Sequence, residues 1–208
     1  MDRQYQALPI LELGDGAGLR RPTQAHAALV TLASPALEAM TDLARTSAAT
    51  IRPQAPIGGA NQFMITRGVR LLLVVDDREA VLGLLTATDI LGERGFQVSI
   101  ERHTKRDDLN VADLMTPAAE VEVLALADVA GARVGHVLET LRRSGRQHAL
   151  VVEHDVIPAR GPLDKPLRRA MVRGIFSLSQ IARQLGVAVQ TSGEVARTFA
   201  EIESALGR

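Results

Sequence analysis

Cysteine and tryptophan are absent from this 208-residue chain, and its aromatic complement is one tyrosine and four phenylalanines. Without thiols there are no disulfides, no thiolate metal ligands and no cysteine nucleophile, and the redox compartment is left open. With so few rings, stacking platforms for single-stranded nucleic acid or sugars have little material. Net charge is missing too. The 24 basic and 24 acidic residues cancel, so no whole-chain field draws in nucleic acid or an anionic membrane. No window approaches the roughly 18 apolar residues of a membrane span, and the opening MDRQYQALPILELGDG has no long apolar core behind a basic start. These absences point to a soluble cytoplasmic chain with neither membrane nor nucleic acid as partner.

What the chain does have is aliphatic content. At 46% hydrophobic it can bury a core made mostly of Leu, Val, Ile and Ala. Residues 1–33 mix a short apolar run, Leu8 to Leu13, with Gly14, Gly16 and Gly18, and read as a loosely ordered arm able to dock as an extra strand. Ser34-Pro35 predicts a helix start, with Leu37, Met40 and Leu43 at helical spacing behind it. At the other end, Thr191 and Glu194 form a capping-box pattern, and Val195, Phe199, Ile202 and Leu206 share one face of a C-terminal helix over 188–208.

Between these ends the chain is written twice. Gly68-Val-Arg-Leu-Leu-Leu-Val-Val-Asp76 resembles Gly145-Arg-Gln-His-Ala-Leu-Val-Val-Glu153 at an offset of 77 (145 − 68). Each is preceded by a helical pattern ending at its glycine, with Ala60 and Met64 matching Val137 and Leu141. Each is followed by an apolar run opening a helix, Gly83-Leu-Leu-Thr-Ala-Thr-Asp-Ile90 and Gly174-Ile-Phe-Ser-Leu-Ser-Gln-Ile181, now at an offset of 91 (174 − 83). The 14-residue difference predicts an insertion in the second hairpin, within His154 to Arg173, whose Pro158, Gly161, Pro162 and Pro166 suggest a surface loop. The nearly all-apolar strands Leu71 to Val75 and Ala149 to Val152 imply burial on both faces, which neither copy achieves alone.

This pattern resembles a tandem pair of cystathionine-β-synthase (CBS) domains. The residues that carry the resemblance are Val111-Ala-Asp-Leu-Met-Thr-Pro117, its echo in Met40-Thr-Asp-Leu43 with Thr50-Ile-Arg-Pro53, the two Val-Val-acid strands, and the Gly-apolar-apolar-Thr/Ser-x-x-Asp/Gln ends. The resemblance implies an α+β fold of two pseudo-symmetric β-α-β-β-α repeats packed sheet to sheet, with repeats over 34–107 and 108–187. It further implies a regulatory homodimer that binds an adenosine-containing ligand between the repeats, such as AMP, ADP, ATP or S-adenosylmethionine, requires no obligatory cofactor and signals to a separate protein partner. The alternative is a ligand-independent homodimeric scaffold with degenerate clefts.

On this resemblance Asp89 would accept both ribose hydroxyls, Thr86 at a helix start would meet a phosphate, and Ile51, Val69 and Leu71 would wall a purine. Pro53, Arg70, His148, the entry segment Met115-Thr116-Pro117 and Arg146 are the further ligand-binding candidates. In the second repeat Gln180 replaces the aspartate, and an amide has one acceptor oxygen where a carboxylate has two. The first cleft is therefore favoured, with Ser177 retaining a phosphate role in the second. Both Thr86-x-x-Asp89 and Ser177-x-x-Gln180 also fit plain helix capping. His148 and His154 lie too far apart along an extended strand for one metal ion. Arg142, Arg143 and Arg146 suit the C-terminal dipole of their helix without any ligand. No Ser-His-Asp, paired-carboxylate or metal arrangement suggests an enzyme.

Overall fold

The computed structural model describes residues 29–157, 167–187 and 195–206. The arm's apolar run, the Thr191–Glu194 capping pattern and residues 158–166 of the second hairpin lie outside them. In the first half, β1 (Thr41–Asp42) and β2 (Thr50–Ile51) lead to α1 (Ile57–Arg67), β3 (Leu71–Val75), β4 (Val81–Thr86) and α2 (Ala87–Leu91). Helix α1 stops because Gly68 adopts the left-handed conformation, φ 64°, and the N–H groups of Gly68 and Val69 then reach the carbonyls of Ile65 and Met64. Two helices follow that the repeat pattern did not predict. Helix α3 (Glu93–Glu101) restarts after Gly92, and α4 (Val111–Leu114) opens on Asn110, whose N–H donates to the Asp113 carboxylate at 2.8 Å.

The second half repeats the plan with β5 (Thr116–Pro117), β6 (Val123–Ala125), α5 (Leu126–Ala130), α6 (Val134–Ser144), β7 (His148–Ile157), β8 (Leu167–Ser177) and α7 (Leu178–Gln184). Helices α1 and α6 both run for 11 residues at the predicted offset of 77 (134 − 57), and Gly145 ends α6 with φ 63° as Gly68 ends α1. Even the irregularities repeat: the ladder slips between Val74 and Val75, and again between Val151 and Val152. The starts of α2 and α7 keep the offset of 91 (178 − 87).

Neither sheet comes from one continuous stretch. One has the order β2-β3-β4-β5 and the other β1-β8-β7-β6, so each half lends a two-residue strand to the other's sheet. Gly83 pairs with Pro117, and Gly174 with Asp42. A Cβ at Gly83 would stand 2.3 Å from the Thr116 carbonyl oxygen, and one at Gly174 would stand 2.3 Å from the Met40 sulfur. The two glycines are thus what lets the exchanged strands close in.

The alternation of side chains along the strands builds four layers. Leu71, Leu73, Val75 and Leu84 face Leu150, Val172 and Ile175 between the sheets. Leu72, Val74 and Leu85 point the other way, onto α1, α2 and α4. In the second half Val151 and Phe176 face α6 and α7. Helix α8 (Val195–Ala205) completes that side. Phe199 and Ile202 are buried in the same cluster, so the partner of the amphipathic C-terminal helix is this chain itself.

Two expectations need correction. Ser34-Pro35 begins no α-helix. Residues Ala36–Ala39 make one 3-10 turn, the Ser34 hydroxyl accepts from the N–H of Thr31, and Met40 is already extended because the following strand is drawn into the second sheet. The predicted loop in the second hairpin is largely strand: β7 and β8 stay paired from Glu153–Met171 out to Ile157–Leu167. The first hairpin, by contrast, turns at once, with the Asp76 carboxylate accepting from the N–H groups of Arg78 and Ala80.

Candidate functional site

A cavity of about 790 Å³ lies between the two halves. On the first-half side it is walled by the end of α1 and the following turn, with Met64, Val69 and Leu71, and by the segment Thr46–Ala49. On the second-half side it meets His148 at the start of β7 and Ser177, Ser179, Gln180 and Arg183 around the start of α7. Thr41 of the exchanged strand β1 joins the two sides, its hydroxyl donating to the Gln180 side-chain oxygen at 2.9 Å. Ser177 and Ser179 share a hydrogen bond between hydroxyls at 3.1 Å.

The electrostatics of this cavity are one-sided. Three arginines line it, Arg67, Arg70 and Arg183, and among the described residues no aspartate or glutamate does. Arg67 lies over the Phe63 ring at 5.4 Å, and Arg183 donates to the Ser179 carbonyl at 3.3 Å. Among the described residues none of the three is paired with a carboxylate. The Nε of Arg70 is buried and has no hydrogen-bond partner. His148 shares the cavity, and desolvation together with the positive charge of Arg70 holds its imidazole down at about 4.

Of the sequence candidates, Val69, Arg70, Leu71, His148, Ser177 and Gln180 come together here. Thr86 and Asp89 do not line the cavity. They form a complete capping box on the five-residue α2: the Asp89 carboxylate accepts from the Thr86 N–H at 2.8 Å and the Thr86 hydroxyl at 2.7 Å, while the Asp89 N–H donates back to that hydroxyl at 3.2 Å. The other Asp89 oxygen takes Arg94 of α3 at 3.3 Å, and Arg94 also donates to the Met115 carbonyl. Both oxygens intended for a ribose are thus used within the protein. Gln180, one repeat later, makes no such box and reaches across to Thr41 instead.

The remaining candidates have structural partners. Ile51 and Met115 pack on the core around α1, α2 and α4. Pro53 accepts from the Ala112 N–H, Thr116 and Pro117 pair with β4, and Arg146 faces Glu122 at 3.4 Å. Thr41, Arg67, Ser179 and Arg183 were not singled out from the sequence. Thr41 had a signal, since it occupies in the Met40–Leu43 echo the place that Thr116 holds in the fuller motif; the arginines had none.

Residues 40–95 match the family model of the CBS domain. Together with the repeat at offset 77 and the exchanged strands, that match decides the reading of the fold. The first half is similar to a CBS domain, and the second half repeats its plan. An uncharacterized conserved protein from Pyrococcus horikoshii has a similar structure, with TM-score 0.51 and 20% identity over 78% of this chain and 99% of that one, which shows the shared fold. Looser similarity extends to a CBS-domain containing protein from Agrobacterium tumefaciens, at TM-score 0.47 and 17% identity over 68% of this chain and 88% of that one. It extends also to a CBS domain pair solved with 5'-methylthioadenosine and S-adenosyl-L-methionine, at TM-score 0.47 and 18% identity over 76% and 97%. Comparison with curated proteins finds no match. No helix among the described residues is long and apolar enough to cross a membrane.

Proposed function

We propose that this CBS pair is a non-catalytic regulatory protein that takes an adenosine-containing ligand, such as AMP, ADP, ATP or S-adenosylmethionine, into the cavity between its repeats and passes the change to a separate partner. The observation that carries the reading is the cavity's dual ownership. Met64, Val69 and Leu71 on one side belong to the first repeat, and His148, Ser177 and Ser179 on the other belong to the second. A ligand that touches both repeats stabilises the arrangement in which both sides are in place, and any difference in its affinity for two arrangements becomes a signal. The apolar wall suits a purine, and the polar side suits the rest of a nucleoside ligand.

A dimer is part of the same proposal. Ile65 of α1, Leu91 of α2, and Phe96 and Ile100 of α3 are each more than half exposed, on helices that contact one another. Such a patch suits a second copy of the chain.

A thermal-shift panel of AMP, ADP, ATP, S-adenosylmethionine and NAD tests the ligand reading. A ligand at a hundred times its Kd stabilises the folded state by about 2.7 kcal/mol, which a melting curve resolves. If none of the panel moves the melting temperature at millimolar concentration, the sensor reading is wrong and a ligand-independent scaffold takes its place.

A further inference from the structure

Resting on the sensor reading above, we infer that the cavity chooses its ligand by a phosphate and not by the ribose diol: it takes a nucleoside phosphate through Arg70, tolerates loss of a ribose hydroxyl, and disfavours a cationic ligand such as S-adenosylmethionine. Charge is the first argument. Arg67, Arg70 and Arg183 bring three permanent positive charges to a site that no carboxylate lines among the described residues. S-adenosylmethionine carries a sulfonium and an ammonium against one carboxylate, so it enters with a net positive charge and finds no counter-charge. A phosphate finds three.

The second argument is an unmet bond. Arg70 lines the cavity, and its Nε is buried without a partner, so a small rotation of the side chain would bring it to a ligand oxygen. A buried donor left unpaired is costly, and an anionic oxygen brought beside it removes that cost. His148, held neutral next to Arg70, adds a ring N–H able to donate to the same anion.

The third argument concerns what reads the sugar. The carboxylate at the corresponding place in the first repeat, Asp89, is closed off by Thr86 and Arg94. In the cavity that place is held by Gln180, whose one acceptor oxygen is already engaged by the Thr41 hydroxyl. What remains is one lone pair of that oxygen and a neutral amide donor. This amide can serve one ribose hydroxyl, but it lacks the two charged acceptors that would make a diol indispensable.

Calorimetric titration of the full chain with AMP, 2'-deoxy-AMP, adenosine and S-adenosylmethionine tests this. The expected order is AMP and 2'-deoxy-AMP within tenfold of each other, about 1.4 kcal/mol, with adenosine and S-adenosylmethionine each more than tenfold weaker than AMP. If AMP binds but 2'-deoxy-AMP loses more than tenfold, or if adenosine or S-adenosylmethionine comes within tenfold of AMP, the inference is overturned while the sensor reading survives. If none of the four binds, the inference falls, whereas the sensor reading falls only if ADP, ATP and NAD fail as well. An Arg70→Gln variant should lose the preference for AMP over adenosine; a folded variant that keeps it removes Arg70 from the role. The comparison of ligands on the unaltered protein decides the matter even if that variant does not fold.

Discussion

At the scale of single residues, His148 makes the folded state sensitive to acid. Its imidazole ionises near 6.5 in the unfolded chain but at about 4 in the cavity, because burial and the Arg70 charge both oppose a second cation there. Between those values the unfolded chain binds a proton that the folded protein refuses. The stability tied to His148 is therefore fully present above about pH 6.5 and is lost as pH falls toward 4. The shift corresponds to at most about 3 kcal/mol, less for a ring that solvent partly reaches. Urea unfolding at pH 7 and pH 5 should show the wild type losing more stability than His148→Gln, in which only the other titratable groups respond; equal losses would remove His148 from the account. The residue scale is also where the sequence was hardest to read. A Thr-x-x-Asp spacing satisfies a helix start by itself, and nothing local reveals that Arg94, arriving from the next helix, occupies the remaining oxygen of Asp89.

The elements were more legible, because their signals are local. Helices α1 and α6 end where Gly68 and Gly145 permit a positive φ, and the strands β3 and β7 begin at matching positions. The exceptions have long-range causes. Ser34-Pro35 carries a helix signal that loses to the pairing of Thr41 and Asp42 with β8, and the proline-bearing insertion hid a lengthened strand ladder. The exchanged strands lead to a prediction. At Gly83 a methyl group would press on backbone, the Thr116 carbonyl, which cannot move without breaking the β4–β5 pairing. At Gly174 it would meet the flexible end of Met40. Overpacking costs about 1–3 kcal/mol, so Gly83→Ala should sit near the top of that range and Gly174→Ala near the bottom. Chemical denaturation of the two variants measures this, and an equal cost would mean that Met40 is as fixed as the backbone.

For the whole molecule, the proposed dimer makes the third scale testable. Phe96→Glu combined with Ile100→Glu places two charges on exposed positions of α3, 63% and 58% accessible, where they should leave the fold intact. Light scattering should find a dimer for the wild type and a monomer for the double variant, with little change in melting temperature; a wild-type monomer at high concentration would refute the interface. The duplication, the breaks at Gly68 and Gly145 and the doubly buried strands were all determined by the sequence alone, since each depends on residue type and spacing along the chain. The tertiary structure decided which half of the duplicated motif faces the cavity. That depends on groups distant in sequence: Arg94 on Asp89, Thr41 on Gln180, and three arginines brought from α1, the turn before β3 and α7 to one cavity. Local spacing specifies a helix start, but only packing specifies what the helix start faces.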